Sequence, residues 1–163
     1  MKLTNEKLVE LKNILRDTPL VNYTESELLK SRAPGVYNSK RYYEMESTHH
    51  TLSYKPLNDF LYEITKCESE YLTSIHTIKY KRGNKVKEHL DYSDLTCVIM
   101  LENNSEGGDF LFNKEKIQFK ETGEYLLYNG GETLHEVTEI ISGTRDVLVI
   151  WYRNDVSNTK SII

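Results

Sequence analysis

The chain is poor in cysteine and has no long apolar run. Of its 163 residues only Cys67 and Cys97 are cysteines. They form no C-x-x-C pair and no zinc spacing, which argues against a disulfide scaffold or a zinc module. Cys97, inside the apolar run Leu95 to Leu101, is expected to pack as a small hydrophobe. Such sparse use fits a reducing compartment. No apolar stretch approaches the ~20 residues of a membrane helix. Met1-Lys2-Leu3-Thr4-Asn5-Glu6 also lacks the apolar segment of a secretory signal. A cytoplasmic location without membrane contact is the expectation. Positive charge is not in excess either. The 21 Lys and Arg against 25 Asp and Glu give −4 at pH 7, so there is no global nucleic-acid footprint. One stretch departs from this: Lys79, Lys81, Arg82, Lys85 and Lys87. A solvated strand edge and turn is the plainer explanation, and attraction of an acidic substrate is the other. Repeats, low-complexity tracts and Pro/Gly/Ser linkers are also missing. One domain spanning 1–163 is therefore expected, large enough to bury a core without disulfide or metal staples.

What is present divides into a helical support region (1–70), a strand-rich core (71–153) and a tail (154–163). Thr4 or Asn5 is placed to cap a helix over 6–16, with Leu8, Leu11, Ile14 and Leu15 on one stripe. Thr24-Glu25-Ser26-Glu27 has the form of a capping box for a helix that ends before Pro34. Leu57, Phe60, Leu61 and Ile64 are spaced for a helix over 57–68. From Tyr71 the pattern changes to strands, predicted over 71–80, 87–91, 95–101, 109–112, 116–119, 123–128, 133–140 and 145–153. Turn signals separate them: Arg82-Gly83-Asn84, Glu106-Gly107-Gly108, Asn129-Gly130-Gly131 and Ser142-Gly143. Helices gathered before many short strands imply an α+β, mainly β fold. A β-sandwich or barrel would be braced on one outer face by the N-terminal helices.

Within the strands lies His89-Leu90-Asp91, then His135, then Arg145. Strand side chains alternate, so His89 and Asp91 should share a face and reach one ion together. A third ligand must come from a distant strand, and His135 follows the Gly-Gly turn. Two imidazoles and a carboxylate leave three adjacent positions open on a non-haem iron. Arg145, on a face with Val147, Val149 and Trp151, could take a carboxylate bidentately. Taken singly these residues have plain explanations: a chance H-x-D, a satisfied core or surface histidine, a hairpin arginine. In this order on successive strands they are far more specific. His49 and His50 are expected at the surface. His76 shares the parity of Tyr80, which would let it line the pocket mouth, and a packing role is the plainer explanation.

The chain here resembles the 2-oxoglutarate/Fe(II)-dependent dioxygenases, in their prolyl 4-hydroxylase-like branch. Tyr80-Lys81-Arg82-Gly83 before His89-Leu90-Asp91 carries the resemblance, with Glu106-Gly107-Gly108-Asp109, His135-Glu136-Val137 and Gly143-Thr144-Arg145. It implies a double-stranded β-helix (jelly-roll) barrel. It implies Fe(II) on His89, Asp91 and His135, and Arg145 paired with the distal carboxylate of 2-oxoglutarate. Tyr80 would add a hydrogen bond to that co-substrate, and Thr96 a second polar contact. O2 would be the co-reactant, with ascorbate as an accessory reductant. Hydroxylation of an unactivated C–H follows, most directly at a prolyl residue of a peptide or protein. Lysine, a free amino acid or another small molecule are the alternatives. Val86, Phe110, Met100 and Asp146-Val147 depart from the branch's pattern where substrate would sit. Three other classes compete: a non-enzymatic jelly-roll binding module, a cupin-type metalloenzyme without 2-oxoglutarate, and a nucleic-acid demethylase. The first two would not need Arg145, and overall acidity disfavours the third.

Overall fold

Two helices and twelve strands make up the described part of the chain. The computed structural model describes residues 1–22 and 45–154. In chain order these are α1 (Asn5–Asp17), β1 (Leu20–Val21), β2 (Glu46–His50), α2 (Lys55–Thr65), a 3-10 turn (Ser69–Tyr71), β3 (Leu72–Tyr80), β4 (Val86–His89), β5 (Leu95–Asn103), β6 (Glu106–Gly107), β7 (Phe110–Phe112), β8 (Glu115–Lys116), β9 (Tyr125–Tyr128), β10 (His135–Val137), β11 (Ile140–Ser142) and β12 (Arg145–Tyr152).

The helix starts follow capping chemistry. Thr4 Oγ1 accepts from the Lys7 amide at 3.1 Å, which satisfies one of the free donors of α1. Pro56 sits in the first turn of α2, where its missing N–H costs nothing. Lys66 ends that helix in the left-handed region at φ 57°. Leu8 and Leu11 of α1, and Leu57, Phe60 and Leu61 of α2, face inward as their spacing requires.

The strands form an antiparallel six-stranded sheet, β1-β2-β3-β12-β5-β9, and a four-stranded sheet, β4-β10-β7-β8. A small β11-β6 ribbon completes the set. Period two gives the large sheet two different faces. On β12, Leu148, Ile150 and Tyr152 join the core packed against both helices. Val147, Val149 and Trp151 join a second core with Val98, Met100, Phe110 and Val137, between the sheets. The fold is thus α+β and mainly β, a jelly-roll with helices on the outer face of one sheet. No described helix is long and apolar enough to cross a membrane.

Several expectations need correction. The N-terminal third is not only helical, because β1 and β2 extend the large sheet beside β3. The strand expected over 133–140 is two strands in different sheets. Between them the Gly107-Gly108 turn, left-handed at φ 79° and 65°, lies against Glu139, whose carbonyl oxygen accepts from the Gly108 amide at 3.2 Å. A Cβ on Gly107 would lie 2.2 Å from the Glu139 carbonyl oxygen, so only glycine fits there. The strand expected over 116–119 closes early, and Phe119 instead is fully buried in the inter-sheet core. Cys67 and Cys97 are both buried free thiols. The helix expected after Thr24, and the tail beyond Asn154, lie outside the described residues.

Candidate metal centre and its cleft

Antiparallel pairing brings the two histidines together. His135 on β10 is the direct partner of His89 on β4, and their ring centroids lie 4.2 Å apart. β4 ends at His89, so Asp91 lies just past the strand rather than on it, contrary to expectation. Its amide donates to the Gly130 carbonyl at 2.7 Å, and this bond aims the side chain back at the histidines. Asp91 Oδ1 is 3.3 Å from His89 Nε2 and 3.2 Å from His135 Nε2. All three residues are buried, and one ligand atom from each lies within 4.8 Å of the others.

Each imidazole is oriented from behind. His89 Nδ1 donates to the Lys87 carbonyl at 2.6 Å, and His135 Nδ1 donates to the Thr133 carbonyl at 2.8 Å. Both bonds place a proton on Nδ1 and turn Nε2 toward the shared corner, as metal-ligating histidines require. Burial alone would raise the Asp91 pKa. Hydrogen bonding to His135 and His89 outweighs it and holds the carboxyl well below the usual range. Burial alone would lower the His135 pKa, but the Asp91 carboxylate raises it above the usual imidazole value.

The same cleft is lined by Arg145 and Tyr80, opposite each other on β12 and β3. Its lining comes from both sheets, with Val98, Val147 and Val149 from one and Phe110 and Val137 from the other. Arg145 is 1% exposed, and its Nε, Nη1 and Nη2 all lack a hydrogen-bond partner. Its neighbours are ring faces: Tyr80 at 4.8 Å and Phe119 at 5.7 Å from the guanidinium carbon. Burial pushes its pKa down, yet a guanidinium remains a cation. A buried cation without an anion is costly unless a ligand supplies one. Burial raises the Tyr80 phenol pKa against the opposing Arg145 charge, so Tyr80 is a neutral O–H donor.

Residues 75–153 match the family model of the 2OG-Fe(II) oxygenase superfamily. This segment belongs to that superfamily. It carries the triad, Tyr80 and Arg145, and the donor set of the oxygenase fits Fe(II), with 2-oxoglutarate and O2 as the superfamily's co-substrates. Solved structures share its fold. A viral collagen prolyl hydroxylase from Paramecium bursaria Chlorella virus-1, complexed with 2OG, is 17% identical with a TM-score of 0.57, covering 90% of this chain and 89% of that one. A Pseudomonas putida prolyl-4-hydroxylase is 14% identical with a TM-score of 0.58, covering 93% and 88%. A 2OG-Fe(II) oxygenase family protein from Burkholderia pseudomallei is 13% identical with a TM-score of 0.53, covering 94% and 93%. No curated protein matches the chain.

The structure departs from expectation at two residues, Thr96 and His50. Thr96 does not line the cleft; its hydroxyl donates to Asp91 Oδ2 at 2.8 Å instead of facing a co-substrate. His50 is buried rather than exposed, with Nε2 3.0 Å from Thr77 Oγ1. His76 is 1% exposed and does line the cleft, edge-on to Trp151 at 5.3 Å. Tyr128 was not foreseen. It lines the cleft 5.1 Å from the His135 ring, and burial drives its phenol pKa well above the ordinary value. Its place at the end of the strand before the Gly-Gly turn was the available signal. Ser93 and Gly130, which surround Asp91, were read only as loop and turn.

Proposed function

We propose that this oxygenase hydroxylates an unactivated C–H of a prolyl residue in a peptide or protein. His89, Asp91 and His135 hold Fe(II), and Arg145 anchors the distal carboxylate of 2-oxoglutarate. When bound, iron with 2-oxoglutarate and O2 supplies the oxidant for hydroxylation, with succinate and CO2 as coproducts. The chain's own residues do the rest. The Nδ1 bonds fix the imidazoles, and neutral Tyr80 and Tyr128 offer O–H donors toward a carboxylate. Val98, Val137, Val147 and Val149 line the cleft and exclude water, which strengthens the Arg145 pairing.

The observation that carries this reading is the buried, unpartnered Arg145 guanidinium in the same cleft as the triad. An anion anchor placed beside the triad counts against a binding module or a cupin-type enzyme without 2-oxoglutarate. The choice of a prolyl substrate follows fold-level likeness to a viral and a bacterial prolyl hydroxylase. Arg145→Ala should therefore weaken 2-oxoglutarate binding by about 2–5 kcal/mol while iron binding persists. Calorimetry on anaerobic Fe(II) protein would measure it, and unchanged co-substrate affinity would refute the anchor. Succinate release screened over proline-containing peptides, lysine-containing peptides and free amino acids tests the substrate. Release with free amino acids alone would move the assignment to a small-molecule hydroxylase.

A further inference from the structure

Asp91 presents its two oxygens differently. Oδ1 faces both imidazole Nε2 atoms, at 3.3 and 3.2 Å. Oδ2 accepts from Thr96 Oγ1 at 2.8 Å. Thr96 has one hydroxyl proton, already given to Asp91, so its 2.6 Å contact with Ser93 Oγ must be a bond that Ser93 donates. Ser93, Thr96 and Asp91 therefore form a one-way chain, fully buried, in which each bond polarises the next. Gly130 closes the remaining side. A Cβ there would lie 2.2 Å from Thr96 Oγ1, 2.6 Å from Ser93 Oγ and 2.7 Å from Asp91 Oδ2.

We propose that Thr96, oriented by Ser93, keeps Asp91 a one-oxygen ligand and thereby holds one metal position open for O2. The inference rests on the reading of the triad as an Fe(II) site. Three single-atom protein ligands leave three positions on an octahedral ion. A 2-oxo acid chelate takes two of them. If Oδ2 also turned onto the metal, the protein would occupy four positions and the chelate the rest. O2 would have nowhere to bind, although iron and 2-oxoglutarate still could. Thr96 is thus a positioning residue acting through Asp91.

The test uses nitric oxide as a probe of the open position. Wild type, Thr96→Val and Thr96→Ser are loaded anaerobically with Fe(II) and 2-oxoglutarate, confirmed by the visible charge-transfer band. Nitric oxide is then titrated and followed by electron paramagnetic resonance. Thr96→Val should keep the band but lose about 10-fold or more in nitric oxide affinity, and Thr96→Ser should restore it. Nitric oxide affinity equal to wild type in Thr96→Val would overturn the proposal. So would loss of iron itself, which would mean that the hydroxyl sets ligand strength rather than ligand count. If Thr96→Val does not fold, Thr96→Ala, which also lacks the hydroxyl donor, takes its place under the same criteria. A wild type that shows no band would overturn the iron reading instead, which separates the two failures.

Discussion

Gly130 shows how closely the backbone approaches the centre. Any side chain there would strike Thr96, Ser93 and Asp91 at once. Gly130→Ala should cost about 1–3 kcal/mol of stability and weaken iron binding, because Asp91 must move to make room. Thermal unfolding and an anaerobic iron titration check both effects, and a variant with full iron affinity would contradict the packing described. At this scale the convergence of His89, Asp91, His135 and Arg145 on one cleft was legible because H-x-D, the distal histidine and G-x-R are local patterns with a chemical reason for their spacing. The role of Thr96 was not legible. It follows from a five-residue excursion after Asp91, and the register that sets Thr96 opposite Tyr128 and Trp151 is non-local. The hydroxyl expected to meet a co-substrate meets the carboxylate instead. His50 was misplaced for a related reason, since β2 lies between β1 and β3, which sets His50 opposite Leu20 with its Nε2 on Thr77.

At the scale of elements, β12 connects scaffold and chemistry. One face presents Arg145, Val147, Val149 and Trp151 to the cleft, and the other packs Leu148, Ile150 and Tyr152 against the helices. Bracing from outside holds the unpartnered guanidinium in the cleft. Leu148 is fully buried in the outer core, so Leu148→Ala should cost about 2–5 kcal/mol in chemical unfolding. Iron affinity should not change in the folded fraction, since the substitution lies on the face turned away from the metal. A loss of iron affinity matching the loss of stability would show that the two faces are not separable. Both described helices and the long strands were readable from periodicity and capping. The break between β10 and β11 was not, because the two strands pair in different sheets and the close approach of Gly107 to Glu139 is non-local.

For the whole molecule, metal binding and stability are linked through protons. The Asp91 carboxyl is held low, so its stabilising effect is present above its unfolded value of 3.8 and is lost as pH falls through the folded value. The His135 imidazole is raised, so its effect is full below 6.5 and is lost as pH rises through the folded value. Without metal the pair therefore stabilises most between those two limits. A metal requires an unprotonated Nε2, so iron binding strengthens over the range in which the apo pair weakens. Apo protein should unfold at a lower temperature at about pH 8 than at about pH 6, and the increment from Fe(II) should be larger at the higher pH. Anaerobic differential scanning calorimetry at both values reads this directly. An increment larger at the lower pH would contradict the coupling.

In the proposed function one cleft holds iron on His89, Asp91 and His135 with a 2-oxo acid on the same ion. An anaerobic titration with Fe(II), then 2-oxoglutarate, tests it most directly in wild type and His135→Ala, with circular dichroism to confirm that both are folded. A visible charge-transfer band in wild type, absent from the folded variant, is the predicted result. A folded wild type without the band, or a variant that keeps it, would contradict the account.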